Sequence, residues 1–323
     1  MGVRRYIPVT VLLVVLAVLV ILAAVAALRR EEALSVGGEW PRNVAHRGAS
    51  EAAPENTLEA FRRAREAGAG GLELDAHLSR DGRVIVIHDS ALGRTTDGTG
   101  AVRGRTLGDL RSLDAGYRFT PGGIPDEGSV ESGAAGEVNY PYRGRGARIP
   151  TLREVLEEFP EMTVNLDIKE ASPGIERAVL DEIDRAGARE RVLVASVASN
   201  EGRVISRFRE LSGGGVATAA SKLEVARFYA LSLLRLEGLS DPPYEALQIP
   251  VEHLGIELAT GRFVEAAHAR GVRVDVWTVD DPDEMHRLLD FGADSIMTNR
   301  PGELRRVLDS RGQADVKSPQ NML

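Results

Sequence analysis

Apolar residues recur at two different spacings along the central part of the chain, and segments of the two kinds alternate. A spacing of two residues is typical of a strand, whereas apolar residues three and four positions apart indicate a helix. The predicted strands are Asn43–Arg47, Gly71–His77, Thr163–Lys169, Arg191–Val197, Val216–Thr218, Ala246–Pro250, Val272–Val279 and Asp294–Thr298. Eight strands that alternate with helices over about 270 residues predict an α/β fold, the TIM (β/α)8 barrel.

Helical spacing is found between these strands, as in the first segment, where Leu58, Phe61 and Ala64 fall on one side. The predicted helices are Thr57–Gly68, Thr151–Phe159, Gly174–Ala186, Asn200–Leu211, Lys222–Leu236, Gly261–Arg270 and Pro282–Phe291. A further apolar segment, Arg83–His88, follows an Asp81-Gly82 turn, which favours a hairpin with the second strand. His88 is therefore expected beside that strand.

The periodic pattern is lost between Ser90 and Arg148. Within this stretch, Gly116–Gly146 is rich in Gly, Pro, Ser and Glu and is too long for an ordinary connection. We interpret it as an insertion or a lid over a site. The chain is therefore divided into a segment 1–36, a barrel 37–308 that carries this insertion, and a disordered tail 309–323.

The first segment contains a long uncharged run, Ile7–Leu28. At ~1.5 Å per residue a helix over this run reaches about 33 Å, enough to cross a bilayer. A cleaved signal peptide is the alternative, because Ala24-Val25-Ala26 resembles a cleavage site, but such peptides carry shorter runs of about 7–15 residues. We expect a single-pass anchor in the cell membrane. The arginines on the two sides of this run are nearly equal in number, so the distribution of positive charge gives little indication of the membrane orientation. We expect the barrel to be extracytoplasmic.

Composition excludes several classes of protein. The formal net charge is −8 and no extended basic tract follows the N-terminal segment, so a nucleic-acid partner is not expected. The chain has no cysteine, which excludes disulfides, zinc–thiolate clusters and thiol nucleophiles. An anionic ligand would have to be bound by a local group of cations.

Polar side chains recur on one face of the second predicted strand. Glu73, Asp75 and His77 share this face, and the alternate residues are apolar, as expected where helices cover the other side. Acids and histidines at a two-residue spacing on a buried strand indicate a lined site.

More polar residues fall where a barrel has its active site, at the carboxyl ends of the strands. His46 and Arg47 end the first strand, His88 ends the hairpin, and Asp167 and Lys169 end the third strand. Clustered carboxylates without thiols favour a hard divalent cation, Mg²⁺ or Ca²⁺, with Mn²⁺ also suitable. Two histidines supply an acid and a base, and two cations neutralise an anion, a combination that fits phosphodiester cleavage.

Each residue alone has a structural interpretation. A single histidine at a strand end is usually structural, and the Glu73–Asp75 pair alone fits the wet face of an antiparallel sheet. Lys169 alone fits a surface ion pair, and Trp277, late on the seventh strand, alone fits packing better than substrate contact. Their convergence on one face of the barrel favours the functional interpretation. The other histidines are expected to line or support the site, as His77, or to lie at the surface, as His253, His268 and His286.

Several motifs closely resemble those of the glycerophosphodiester phosphodiesterase family, over about residues 43 to 308. They are His46-Arg47-Gly48, Pro54-Glu55-Asn56-Thr57, Glu73-Leu74-Asp75, Asp81-Gly82, His88-Asp89, Arg94-Thr95-Thr96-Asp97-Gly98, Ile149-Pro150-Thr151-Leu152, Asn165-Leu166-Asp167-Ile168-Lys169, Val276-Trp277-Thr278-Val279 and Met297-Thr298-Asn299-Arg300-Pro301. The resemblance implies a metal-dependent TIM barrel of lipid and glycerol metabolism. Such an enzyme would hydrolyse glycerophosphodiesters to glycerol 3-phosphate and an alcohol such as choline or ethanolamine.

Roles follow from the resemblance, motif by motif. It implies His46 and His88 as the acid/base pair, metal ligation by Glu73, Asp75 and Asp167, phosphate contacts from Arg47 and Lys169, and substrate or metal-shell contacts from Glu55 and Trp277. Two positions depart from the family pattern. Asp167 replaces a common Glu, so the ion is expected nearer the third strand or bound through water. Thr298-Asn299-Arg300-Pro301 replaces Thr-Asp-x-Pro, and we expect this change to affect loop hydrogen bonding more than chemistry.

Two alternatives remain open from the sequence. A lysophospholipase D acting on membrane lysophospholipids is suggested by the predicted anchor together with the long insertion. A catalytically silent, membrane-tethered barrel that only binds a ligand is the other alternative, since a fold does not by itself determine activity. The expected partners are accordingly a glycerophosphodiester or lysophospholipid substrate and a lipid bilayer reached through one helix.

Overall fold

The computed structural model describes residues 40–123 and 139–312. The strands are β1 (Asn43–Ala45), β2 (Gly71–Leu78), β3 (Val84–Val86), β4 (Thr163–Ile168), β5 (Val192–Ser196), β6 (Ala217–Thr218), β7 (Ala246–Pro250), β8 (Glu252–His253), β9 (Ile256–Glu257), β10 (Arg273–Trp277) and β11 (Ser295–Thr298). The α-helices are α1 (Leu58–Glu66), α2 (Leu107–Arg111), α3 (Leu152–Glu158), α4 (Ile175–Arg185), α5 (Glu201–Ser212), α6 (Lys222–Leu233), α7 (Gly261–His268), α8 (Pro282–Asp290) and α9 (Pro301–Ser310).

Eight parallel strands form the barrel, in the order β6, β5, β4, β2, β1, β11, β10, β7. The ring closes between β6 and β7 through a short parallel bridge, where Ala219 pairs with Ala246 and the Ala220 N–H donates to the Ala246 carbonyl at 2.8 Å. The predicted TIM-like barrel is thus confirmed, with slightly shorter strands than the sequence pattern indicates.

The predicted hairpin between β2 and β3 is also confirmed. Gly82 turns the chain with a φ of +73°, a conformation that a residue without a Cβ adopts easily. The two strands pair antiparallel, with Ala76 opposite Val86, and the Ile87 N–H donates to the Asp75 carbonyl at 3.0 Å. The hairpin therefore brings the chain back along the barrel axis, so that His88 follows the residue paired with Asp75.

Apolar side chains fill the layer between the barrel and its helices. One face of β2 packs against this layer as predicted, through Leu72, Leu74, Ala76 and Leu78. Phe61 of α1 meets Phe159, after α3, edge to face at 6.1 Å between ring centroids, a favoured aromatic geometry. Thr57 and Thr151 cap the amino termini of these two helices with their side chains, so each helix begins beside the carboxyl end of the barrel.

The amino-terminal end of the barrel is closed by a buried polar network. Arg273 contacts both carboxylate oxygens of Asp275, at 2.8 and 2.6 Å, and its guanidinium lies 4.4 Å from the Trp40 ring centroid. Above this pair, Gln248 donates to Asn165 at 2.9 Å. These side chains occupy the barrel interior at the end opposite the predicted site.

Short elements were missed by the sequence pattern. Helix α2 and the β8–β9 hairpin are shorter than one reliable repeat of apolar residues. No range was predicted for α9, which extends to Ser310, so the first two residues of the predicted disordered tail, Asp309 and Ser310, are helical. The described part of the chain has no helix long and apolar enough to cross a membrane. The predicted anchor Ile7–Leu28, residues 124–138 of the predicted insertion and residues 313–323 of the predicted tail lie outside the described residues.

Candidate active site

Three carboxylates meet at the carboxyl end of the barrel. Glu73 and Asp75 alternate along β2, and Asp167 lies opposite Asp75 in the register of the adjacent β4. One oxygen from each lies within 4.8 Å of the others, and all three residues are buried. Burial raises the pKa of Glu73 well above its ordinary value, and the nearby Asp75 charge adds to the rise. Burial acts likewise on Asp75, but the Lys169 and Arg47 cations outweigh it and lower the pKa of Asp75.

Two cations lie against this acidic cluster of Glu73, Asp75 and Asp167. Lys169 Nζ is 2.9 Å from Asp75 Oδ1 and 2.7 Å from Asp167 Oδ2, and these carboxylates raise its pKa although burial opposes the rise. Arg47 Nε is 3.5 Å from Asp75 Oδ2. Both residues were predicted to contact phosphate. The structure places both cations on the carboxylates, and their contact with phosphate remains a prediction.

The loop after β1 is shaped to reach the acidic cluster. Arg47 adopts a left-handed φ of +56° and its backbone N–H donates to Glu73 Oε2 at 2.9 Å. Asn56, also at a φ of +56°, donates through Nδ2 to Asp75 Oδ2 at 2.6 Å. A Cβ at Gly48 would lie 2.7 Å from that of Ala60, so glycine is required for this close approach. Two of the three carboxylates are thus oriented by loop residues.

His46 follows β1 and borders the cluster. Its Nε2 is 3.9 Å from Glu73 Oε2, and its Nδ1 is 2.8 Å from Oδ1 of Asn299, which follows the adjacent β11. Burial lowers the pKa of His46, and the neighbouring Arg47 cation lowers it further. The expectation that Asn299 affects mainly loop hydrogen bonding needs correction, because its side chain contacts the imidazole directly.

His88 follows Ile87, whose backbone N–H contacts the Asp75 carbonyl. Its Nδ1 is 2.6 Å from Asp89 Oδ1, and its side chain is 28% exposed, so the second ring nitrogen is not enclosed. His77 Nε2 contacts the backbone carbonyl of His88 at 3.0 Å, and His77 Nδ1 lies 3.7 Å from Glu170. This agrees with the predicted supporting position of His77.

Arg94 joins the two halves of the site and was missed as a site residue. It donates to both oxygens of Glu55 at 2.8 and 2.6 Å and to Asp89 Oδ2 at 2.6 Å. Glu55 Oε1 also lies 3.3 Å from Arg47 Nη1, so two guanidinium groups contact the Glu55 carboxylate. Burial opposes the charges on Arg94 and Asp89, but contacts with Glu55 and Asp89 raise the pKa of Arg94, and contacts with His88 and Arg94 lower that of Asp89. The sequence signal that could have identified Arg94 as a site residue was the run Arg94-Thr95-Thr96-Asp97-Gly98.

A family model describes almost the whole barrel. The model of the glycerophosphoryl diester phosphodiesterase family matches residues 46–303. The chain belongs to this family. The match begins at His46 and ends within α9, so it includes every residue of the site.

Individual members of the glycerophosphoryl diester phosphodiesterase family agree with this assignment. A glycerophosphodiester phosphodiesterase from Caldanaerobacter subterraneus is 34% identical over 281 residues, 83% of this chain and 98% of the relative. A lysophospholipase D from Rattus norvegicus is 26% identical over 83% of this chain and 86% of its own length. The crystal structure of a glycerophosphoryl diester phosphodiesterase domain from Mycobacterium tuberculosis has a TM-score of 0.69 and 25% identity, covering 84% of this chain and 99% of that chain.

The acidic cluster of this family member fits a divalent cation. Its ligands are three carboxylates, and the chain offers no thiolate, so the donor set suits a hard cation that prefers oxygen. Asp167 remains part of the cluster although it is one methylene shorter than the common Glu. Trp277, predicted as a substrate contact, is 38% exposed at the end of β10 and is therefore not a core residue.

Proposed function

We propose that the protein hydrolyses glycerophosphodiesters to glycerol 3-phosphate and a free alcohol. The observation that carries this proposal is the imidazole of His46, which lies 3.9 Å from Glu73 of a buried cluster of three carboxylates, together with His88 on the hairpin that pairs with Asp75. Family membership and the activity named for the relative from Caldanaerobacter subterraneus support it.

The proposed chemistry divides between the two imidazoles. Glu73, Asp75 and Asp167 would hold a divalent cation, which supplies positive charge next to the phosphate. His46 Nε2 accepts a proton from the attacking water as a new oxygen–phosphorus bond forms. The bond from phosphorus to the alcohol oxygen breaks, and His88, oriented by Asp89, donates a proton to that oxygen. Arg47 and Lys169 stabilise the phosphate charge in this proposal.

A second candidate, cleavage of lysophospholipids, is favoured by the distribution of exposed apolar side chains. Among the described residues, seven large apolar side chains are exposed, and five of these follow or end β5, β6, β7 and β10, which are consecutive in the ring. They are Val197, Leu223, Leu254, Ile256 and Trp277. The polar site residues follow the other half of the ring. Among the described residues, an acyl chain that extends from the scissile phosphate would find these exposed apolar side chains on the half of the ring formed by β5, β6, β7 and β10.

We expect an assay of the full-length chain with Mg²⁺, Mn²⁺ or Ca²⁺ to show turnover of glycerophosphocholine. Leu223→Ser would test lysophosphatidylcholine as a second substrate. If the apolar half holds its acyl chain, this change raises KM for lysophosphatidylcholine by about tenfold or more and leaves KM for glycerophosphocholine unaffected, because burying a Leu side chain contributes about 1.5–3 kcal/mol.

Leu233→Ser is the matched control for that assay. Leu223 and Leu233 are 79% and 64% exposed and lie at opposite ends of α6, so the control removes an equivalent side chain far from the barrel mouth. If the two variants raise KM for lysophosphatidylcholine equally, the acyl-chain proposal is refuted. Hydrolysis of neither substrate would favour the silent binding barrel instead.

We propose that Ile7–Leu28 anchors the enzyme in the cell membrane, with the barrel extracytoplasmic. Trp40 contacts Arg273 at the amino-terminal end of the barrel, so the preceding residues join the barrel opposite its active site. A chain that begins at Gly37 is therefore expected to keep turnover of glycerophosphocholine and to lose co-sedimentation with membranes. Membrane binding by the shortened chain would show that the barrel itself attaches to lipid.

A further inference from the structure

A series of hydrogen bonds leads from His46 away from the acidic cluster. His46 Nδ1 is 2.8 Å from Asn299 Oδ1, and Asn299 Nδ2 donates to Asp280 Oδ2 at 2.7 Å. Asp280 Oδ1 accepts from the Thr298 hydroxyl at 2.8 Å and from the Asn299 backbone N–H at 2.7 Å. The Asp280 carboxylate is thus held firmly, and it lies two side chains away from the cluster.

These contacts determine the orientation of the Asn299 amide. An ionised carboxylate only accepts hydrogen bonds, so the NH₂ group of Asn299 must face Asp280. Its oxygen therefore faces His46. The Ser50 hydroxyl lies 2.7 Å from this oxygen and 2.9 Å from the His46 carbonyl, and its single proton points to one of these two acceptors. Because an amide oxygen also only accepts, His46 Nδ1 must carry a proton.

The position of that proton decides what His46 can do. When Nδ1 of a neutral imidazole is protonated, Nε2 has a free lone pair. His46 Nε2 is the atom that faces the cluster, 3.9 Å from Glu73 Oε2. The other tautomer would present an N–H at this place and could not accept a proton from a nucleophile.

We propose that Asp280, acting through Asn299, holds His46 in the tautomer whose Nε2 accepts a proton. Both are positioning residues for the reaction, and the inference rests on the proposed role of His46 as the base. An asparagine can present either of its ends, so this chain requires Asp280 to select the oxygen.

The change Asp280→Asn tests this proposal with almost no change of volume. Its oxygen keeps the hydrogen bonds from Thr298 and the backbone N–H, and its NH₂ group takes the place of Oδ2. Asn299 must then turn its oxygen toward position 280 and its NH₂ group toward His46. The proton is expected to move from Nδ1 to Nε2 of His46, and kcat to fall by about 10- to 100-fold with little change in KM.

The measurements are steady-state kinetics on glycerophosphocholine and ¹⁵N NMR of the imidazoles in the full-length chain. The His46 signals are assigned by their absence from the His46→Ala spectrum. Asp281→Asn is the matched control, because Asp281 caps α8 through the Glu284 N–H and Asn caps a helix equally well. The control is expected to keep both the kcat and the His46 tautomer of the unchanged chain.

An Nε2–H tautomer in the unchanged chain, or an Asp280→Asn chain with an unchanged tautomer, would overturn the proposal. If Asp280→Asn does not fold, Asn299→Ala serves instead, because it leaves Asp280 bonded to Thr298; a lower kcat and a mixture of tautomers are expected. The NMR result separates this proposal from the proposed function. A chain that cleaves neither diester but shows the tautomer exchange would refute the activity and support the positioning role.

Discussion

Replacement of His46 or His88 by alanine is expected to lower kcat for glycerophosphocholine by ~10²-fold or more, the usual effect of losing a positioned acid or base. His46 borders Glu73, and His88 is oriented by Asp89, so each removal deletes one proton transfer. KM is expected to change much less, because neither ring supplies most of the binding. His253→Ala is the control, since His253 is exposed in the β8–β9 hairpin.

Thermal unfolding should be measured on the same histidine variants to show that the barrel is intact. The pH profile gives an independent check. Burial and the Arg47 cation lower the pKa of His46, so neutral His46 persists below the ordinary imidazole range, and activity is expected to fall only as the pH drops through this lowered pKa. Native-like kcat in either alanine variant would exclude that residue from proton transfer.

Removal of the metal is expected to abolish activity, and Mg²⁺, Mn²⁺ or Ca²⁺ is expected to restore it. The reason is the acidic cluster of Glu73, Asp75 and Asp167, whose three carboxylates lie together and are contacted by the cations Lys169 and Arg47. Asp75→Asn should weaken metal binding and turnover together, because an amide oxygen coordinates without neutralising the ion. Calorimetric titration of the metal measures binding separately from activity.

Ser79→Ala and Asp81→Asn provide controls for the metal experiment, since this pair interacts at the hairpin turn rather than in the cluster. Both are expected to bind metal as the unchanged chain does. Loss of folding in Asp75→Asn can be distinguished by its thermal unfolding, in which case Glu73→Gln gives the second measurement. Full turnover after exhaustive chelation, with elemental analysis showing no metal, would exclude the metal-dependent mechanism.

The fold was predictable because its evidence is local. Each strand and each long helix of the barrel must bury one face, and the spacing of apolar residues within about ten positions indicates that face. Asp81-Gly82 likewise marks its own turn. Helix α2 and the β8–β9 hairpin were not predictable in this way, because they are too short to show a repeat.

Part of the site could also be predicted from short stretches of sequence. Glu73 and Asp75 share a face because side chains alternate along a strand, whatever the strand pairs with. The histidines could be placed at strand ends for the same reason, and the motifs then indicated their roles. Asp167 joins this pair only through the register between β2 and β4, which the barrel topology implies but no local pattern shows.

The tertiary structure alone decided how the charges and protons of the site are arranged. Lys169 and Arg47 lie on the carboxylates, Arg94 bridges Glu55 and Asp89, and Asn299 reaches His46 across 253 positions of sequence. These contacts depend on closure of the ring, which sets the last strand beside the first, and on loops whose shape no spacing rule describes. The sequence by itself therefore determined the barrel and most of the reactive groups, whereas their partners were determined by which strand ends the closed barrel brings together.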